Sequence, residues 1–179
     1  MITGRCRFNI FLMLSLAALL ASGCQSAKKD KEKDKQFSTL RIHLEVTAAP
    51  MDFSIKVPVY RENPVMVTVD KDPFLTEGNV AAAKVVEVMG GFDLQIEFDH
   101  SGSLLLEQYT TSNPGRRIAI FSLFGKKKED SRWLAAPVMS KRITNGKLVF
   151  TPDASREEAE RIALGLNNFA KKNQENNKW

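Results

Sequence analysis

Asp99, His100, Ser101 and Ser103 stand within five positions of one another, in the run FDHSGS (Phe98–Ser103). An acid, an imidazole and a hydroxyl are the parts of a hydrolase triad, in which histidine takes the serine proton and the acid holds the ring in its working tautomer. The same residues also read as the start of a helix, where Asp or Ser at the N-cap accepts hydrogen bonds from orphan amide groups. Close neighbours in sequence rarely converge in space as a triad must, and no G-x-S-x-G elbow accompanies them. Capping is therefore the expected role of Asp99 and Ser101, with His100 exposed in the turn and no catalytic residue. The other histidine, His43, lies between Ile42 and Leu44 and is assigned to the polar side of its strand.

Other chemistries find less support. Glu97 and Asp99 alternate on one face without a third ligand nearby, so no metal is expected. Gly90-Gly91 lacks the G-x-x-x-x-G-K-[ST] frame of a phosphate loop and reads as a hairpin turn, and no cofactor is expected. The two cysteines are Cys6 and Cys24, both near the amino terminus, which leaves no thiol for a disulfide, a zinc site or a nucleophile beyond them.

The elements that must position these residues are legible as periodicities. STLRIHLEV places Leu40, Ile42, Leu44 and Val46 on one face of a strand, and DFSIKVPVY repeats the alternation through Phe53, Ile55 and Val57. Val65 to Val69 is a further short strand. A strand around Val85 and another at Phe92 to Phe98 flank Gly90-Gly91 as a hairpin. GSLLLEQYTTSN is rich in helix formers and ends at Asn113-Pro114-Gly115, a turn signal. RRIAIFSLF reads as a buried strand, GKKKEDSR as a charged turn, and WLAAPVMS and GKLVFT as the last two strands. SREEAERIALGLNNFAKK is an amphipathic helix with Ala159, Ile162, Ala163, Leu166 and Phe169 on its apolar stripe. Ser155 and Glu158 fit a capping box, Lys171 and Lys172 suit the negative end of the helix, and a frayed tail is expected from Asn173. The class is α+β, a mostly antiparallel sheet packed with two principal helices, in one domain over residues 37–172.

The amino terminus sets the address. Arg5 and Arg7 precede an apolar run from Ile10 to Leu20, which has the length of a signal-peptide core and falls short of the roughly 20 residues that span a bilayer. Leu20-Ala21-Ser22-Gly23-Cys24 resembles the lipobox of bacterial lipoproteins, although Leu20 stands one place earlier than is usual in that family. The resemblance implies a leader over residues 1–23, lipid attachment at Cys24, and a periplasm-facing domain in the bacterial envelope. Gln25 rather than Asp after the cysteine leans toward the outer membrane. An ordinary secretory signal with an incidental cysteine and an uncleaved anchor are the other readings of these residues.

Residues 25–36, QSAKKDKEKDKQ, hold five Lys against three acids and read as a solvated tether. Of the 26 basic and 21 acidic residues of the chain, 19 and 18 lie outside the leader and tether, so the domain is nearly neutral. A nucleic-acid binder carries its charge on the folded domain, and no nucleic-acid partner is expected.

A larger resemblance runs along the domain. Leu94-Gln95-Ile96-Glu97-Phe98-Asp99, then Ser101-Gly102, Thr111-Ser112-Asn113-Pro114-Gly115-Arg116 and Ile118-Ala119-Ile120 resemble successive pieces of the head of the first periplasmic domain of SecD. Leu75, Thr76, Asn79 and Val80 upstream, and Ala136-Pro137, Ile143, Gly146, Glu157-Glu158-Ala159, Ile162-Ala163 and Leu166 downstream, continue the match in the family's order. The resemblance covers roughly residues 38–172. It implies a SecD head-like, non-enzymatic domain that contacts unfolded or exported polypeptide or an envelope protein complex, in connection with protein export. Reuse of the fold as a structural or interaction lipoprotein for an unrelated envelope complex is the second reading. Edge strands suit such contacts, and those around Phe53–Tyr60 and Trp133–Ser140 are the first candidates.

Overall fold

The structure, a computed structural model, describes residues 36–47, 52–125 and 130–176. The leader with Cys24, the tether as far as residue 35, the lysines of the charged turn and Trp179 lie outside the described residues. In chain order the elements are β1 (Thr39–Leu44), β2 (Ser54–Val59), β3 (Val65–Asp70), β4 (Leu75–Thr76), a 3-10 turn (Glu77–Asn79), β5 (Val80–Val88), β6 (Gly91–Phe98), α1 (His100–Ser112), β7 (Ile118–Leu123), β8 (Ser131–Ala135), β9 (Lys147–Phe150) and α2 (Arg156–Asn176). All strand pairings are antiparallel. The class is the α+β one expected, with the strands divided among three sheets: β4-β1-β7-β8, the hairpin β2-β3, and β5-β6-β9.

Period-2 alternation explains the main core. Leu40 and Ile42 from β1, Ile118 and Ile120 from β7, and Leu94 and Ile96 from β6 are shut from solvent and meet Leu148, Phe150 and the apolar faces of both helices. Helix α2 runs along β5 and crosses the start of β1. At that crossing a Cβ on Gly165 would come within 2.2 Å of Ser38 Oγ and 2.6 Å of its backbone nitrogen, so only glycine allows the approach.

The second core was not legible. The β2-β3 hairpin lies over the other face of the four-stranded sheet, where Val57, Val59, Val67 and Val69 close on Ala119, Ala136 and the half-buried Trp133. β7 is thereby covered on both faces, Ile118 and Ile120 on one and Ala119 on the other. Burying a valine is worth about 1.5–3 kcal/mol relative to leaving it in water. Four of them hold the hairpin down along its length, while Phe53 just before β2 and Ile55 within it stay exposed, the latter opposite the buried Val69.

Three boundaries differ from the expected ones. The β5-β6 turn is Met89-Gly90, with Gly91 already in β6. β8 begins at Ser131 and ends at Ala135, earlier than WLAAPVMS suggested. Arg132 fits a strand because its guanidinium lies 5.1 Å over the Phe124 ring and grips both carboxylate oxygens of Glu158, at 2.7 and 3.2 Å. Beyond Ala135 the ladder gives way to single bonds: Ile118 N donates to Pro137 O at 3.0 Å and Met139 N to Arg116 O at 2.8 Å. Pro137 has no N–H with which to continue it. Finally, α2 runs on to Asn176, so Asn173 to Asn176 are helical rather than frayed. Lys171 and Lys172 therefore precede the last turn, and Lys172 Nζ sits 5.5 Å from the Phe37 ring centroid instead of serving the helix end. The capping box at the other end is present, with Ser155 N donating to Glu158 Oε2 at 2.8 Å and Glu158 N to Ser155 Oγ at 3.2 Å.

Candidate functional site

The Asp99–Ser103 cluster is the cap of α1. Asp99 is its N-cap, and Oδ1 accepts from Gly102 N at 2.7 Å. Ser103 Oγ donates to Phe98 O at 3.3 Å. Ser101 takes no part in the cap; it lies exposed in the first turn beside the exposed His100. The groups that could have formed a relay are thus directed to backbone atoms or to solvent.

His43 is the larger departure. It is 5 % exposed, not on a polar surface, because the hairpin covers that side of β1. Nδ1 donates to the Asp70 carbonyl of β3 at 2.8 Å, and the ring meets Trp133 edge-on with centroids 5.2 Å apart. Trp133 in turn touches Phe121 at 5.3 Å. Burial pushes the His43 pKa down; the Asp70 carbonyl opposes that, Arg41 adds to it, and the Asp70 and Asp72 charges oppose it. His43 ties the hairpin to the sheet.

The motif residues that carry the resemblance prove to be structural. Thr76 and Asn79 form a capping box around the 3-10 turn, with Thr76 N donating to Asn79 Oδ1 at 3.1 Å and Gly78 N to Thr76 Oγ1 at 3.3 Å. Asn113 closes α1, its Nδ2 donating to Tyr109 O at 3.0 Å. Ile143 N donates to Thr110 Oγ1 at 3.1 Å. Gly146 has φ +65°, and a Cβ there would lie 2.2 Å from Ser103 Oγ. Glu158 joins the α2 cap to Arg132; burial resists its ionisation, but the Ser155 amide and Arg132 outweigh that and hold its carboxyl below the usual range. Among the described residues no three metal-ligating side chains cluster, and no helix is long and apolar enough to cross a membrane. Glu97 pairs with Lys147 at 3.3 Å.

What remains for contact with another chain is the strand edges. β2 has an open one, but Lys71 N donating to Phe53 O at 3.0 Å fixes the ladder phase so that Lys56 and Pro58 turn their backbone outward. A proline there offers no N–H, and a lysine and proline on an edge discourage pairing. The outer edge of β3 is met by Val46, whose N donates to Thr68 O at 2.9 Å. The second candidate, β8, is the edge of its sheet, yet Leu134 O accepts from Asp153 N at 2.7 Å and Ala136 N donates to Tyr60 Oη at 3.4 Å. Tyr60 reaches this position from a left-handed backbone, φ 71°, and Arg61 beside it is held by Asp153 through its backbone N at 2.8 Å and Nε at 3.2 Å. The β5 edge is capped at Ala83 by Asn167 of α2. Its Oδ1 accepts from Ala83 N at 2.8 Å and its Nδ2 donates to Ala83 O at 2.9 Å, the two bonds a neighbouring strand would make. Nothing in the period of α2 announced that role.

The same fold is found in known proteins. The family model for the SecDF P1 head subdomain matches residues 54–170. The chain belongs to the SecDF P1 head subdomain family. The match leaves β1 outside. A solved structure of SecDF, a membrane component that enhances protein export, is 23 % identical and superposes with a TM-score of 0.55, over 82 % of this chain and 70 % of that one. SecDF in a super-membrane-facing form gives 0.54 at 23 % identity, over 80 % of this chain but 21 % of that one. The head thus corresponds to about a fifth of that larger SecDF chain. No curated protein matches. These likenesses show the fold, and the motifs shared with the family lie where helices are capped and chains turn.

Proposed function

We propose that this chain is a lipoprotein of the bacterial envelope, attached through Cys24 and a charged tether, whose SecD head-like domain binds polypeptide or an envelope partner without catalysing a reaction. Its site faces the periplasm, from the outer membrane in preference to the inner, and its work is connected with protein export. The observation that carries this reading is the SecDF P1 head match over residues 54–170, joined to a lipobox-like run ending at Cys24. The domain occupies residues 37–172 with its helix extending to Asn176. A fully extended chain spans at most roughly 3.5 Å per residue, so residues 25–35 let the head stand up to a few nanometres from the bilayer.

A second reading keeps the fold and changes the job: a structural or interaction lipoprotein serving an unrelated envelope complex. It is favoured by the motif residues shared with the family, which lie in caps and turns and so fix a fold without naming a partner. Cross-linking in intact envelopes, followed by affinity recovery of the anchored protein, separates the two. Translocase subunits or chains in transit support the export-linked reading. Recovery of one discrete envelope complex, with neither of those, sinks it.

A further inference from the structure

Among the described residues the edge of β9 is left open along its length. Phe98 N donates to Gly146 O at 2.9 Å, and this fixes the phase of the β6-β9 ladder. Gly146, Leu148 and Phe150 turn their backbone groups toward β6, so Lys147, Val149 and Thr151 turn theirs away. The Lys147 N–H is held by Asn145 Oδ1 at 3.1 Å. The Lys147 carbonyl, both backbone groups of Val149 and the Thr151 N–H have no partner among the described residues. The Val149 side chain is 46 % exposed, and β6 is the one element in extended contact with β9. The other edges are interrupted: β5 by an asparagine amide at Ala83, β8 by an aspartate backbone and a tyrosine hydroxyl, and β2 by a proline.

We propose that the edge of β9, from Lys147 to Thr151, takes an extended segment of another polypeptide as a fourth strand of the β5-β6-β9 sheet. The inference rests on the polypeptide-binding reading above and adds where and how the chain is held. Donors and acceptors recurring at every second residue match an extended backbone and no compact ligand. Asn145 at one end and Pro152 at the other limit the seat to about five residues. Two copies paired through so short an edge would bury far less than the roughly 1,200–2,000 Å² of a stable interface, so a passing segment fits better than a dimer. Beside the edge, on the solvent face, lie Gln95, the Glu97–Lys147 pair and Val149, a mixed lining that sets no strict side-chain code. Main-chain bonds then supply the affinity, and the seat tolerates many sequences.

The test uses the full chain in detergent and a short synthetic peptide alternating valine with serine. Amide resonances are followed during titration, and affinity is compared with that of Val149→Pro. The expected result is a shift and slowed exchange of the Val149 and Thr151 amides. Val149→Pro weakens binding about tenfold, one lost hydrogen bond at an otherwise unchanged seat. Its Tm stays close to wild type, since that N–H makes no bond to β6. Equal affinity in the variant, or protection confined to other strands, overturns the edge while leaving polypeptide binding in place. Protection of Val149 that grows with protein concentration and needs no peptide assigns the edge to a second copy and also overturns it. No saturable binding by the wild type overturns both readings.

Discussion

Asp99 stands where its place before a run of helix formers put it, at the N-cap of α1, and not in a triad. Its carboxylate lies 2.7 Å from Gly102 N and so belongs to α1, not to His100. Replacing a capping Asp by Ala costs about 1 kcal/mol, so Asp99→Ala should lower stability by that amount in urea unfolding, while His100→Ala leaves it unchanged. His43 makes a second prediction at this scale. Its folded pKa lies below the ordinary 6.5 because burial disfavours the cation, and Arg41, Asp70 and Asp72 are the charges that face it. The unfolded chain then binds the extra proton first, and stability rises with pH between the folded value and 6.5. Acidifying below 6.5 should therefore destabilise wild type, and His43→Phe should flatten that part of the profile in unfolding measured pH by pH. A variant with the wild-type slope would show that another group is responsible. Neither the burial of His43 nor its bond to Asp70 could be read from IHL, since alternation reports one covered face and is silent about a hairpin laid over the other.

Elements were legible where one period ruled. Leu40 and Ile42, Leu94 to Phe98, and Ala159 to Leu166 are buried as their spacing requires. The exceptions share a cause, a side chain making backbone-like bonds across elements. Arg132 enters β8 because Phe124 and Glu158 cover its charge and stem. Asn167 sits on a helix face that reads as polar, yet its amide completes β5. Leaving a buried donor and acceptor unmade costs about 1–3 kcal/mol. Asn167→Ala should lower the unfolding free energy within that range and reopen the β5 edge, seen as faster exchange of the Ala83 amide and self-association on sedimentation. Unchanged exchange at Ala83 would mean that α2 shields the edge by contact alone. The same reasoning explains why the two edge strands favoured by the sequence were not the open one: Pro58 was visible in β2 but its outward phase was not, and Asp153 lies eighteen positions from Ala135.

On the proposed reading, the whole molecule is a head held to a membrane through its amino terminus. The described chain begins at Gln36, which is fixed to the domain at two points. Its Nε2 donates to Phe124 O at 2.6 Å, and its carbonyl accepts from Asn168 Nδ2 at 2.9 Å. On that reading a pull on residues 25–35 reaches the core beside β7 and α2 through Gln36. On the proposed reading that pull originates at Cys24, whose thiol must form the thioether to a diacylglyceryl group. A single acyl chain holds a protein to a bilayer only marginally, whereas two or more hold it stably. A hydroxyl in place of the thiol cannot form that thioether, so Cys24→Ser should take up no labelled palmitate and should leave the tightly held membrane fraction, or remain as an unprocessed precursor of higher mass. The head itself should be untouched, with the Tm of the wild-type domain, because residue 24 lies outside the described domain that begins at Gln36. If Cys24→Ser is labelled and fractionates as wild type does, the anchor lies elsewhere and the lipobox resemblance is incidental. If it is unlabelled but still recovers the same cross-linked partners, binding belongs to the head alone and the lipid serves only to keep it near the membrane.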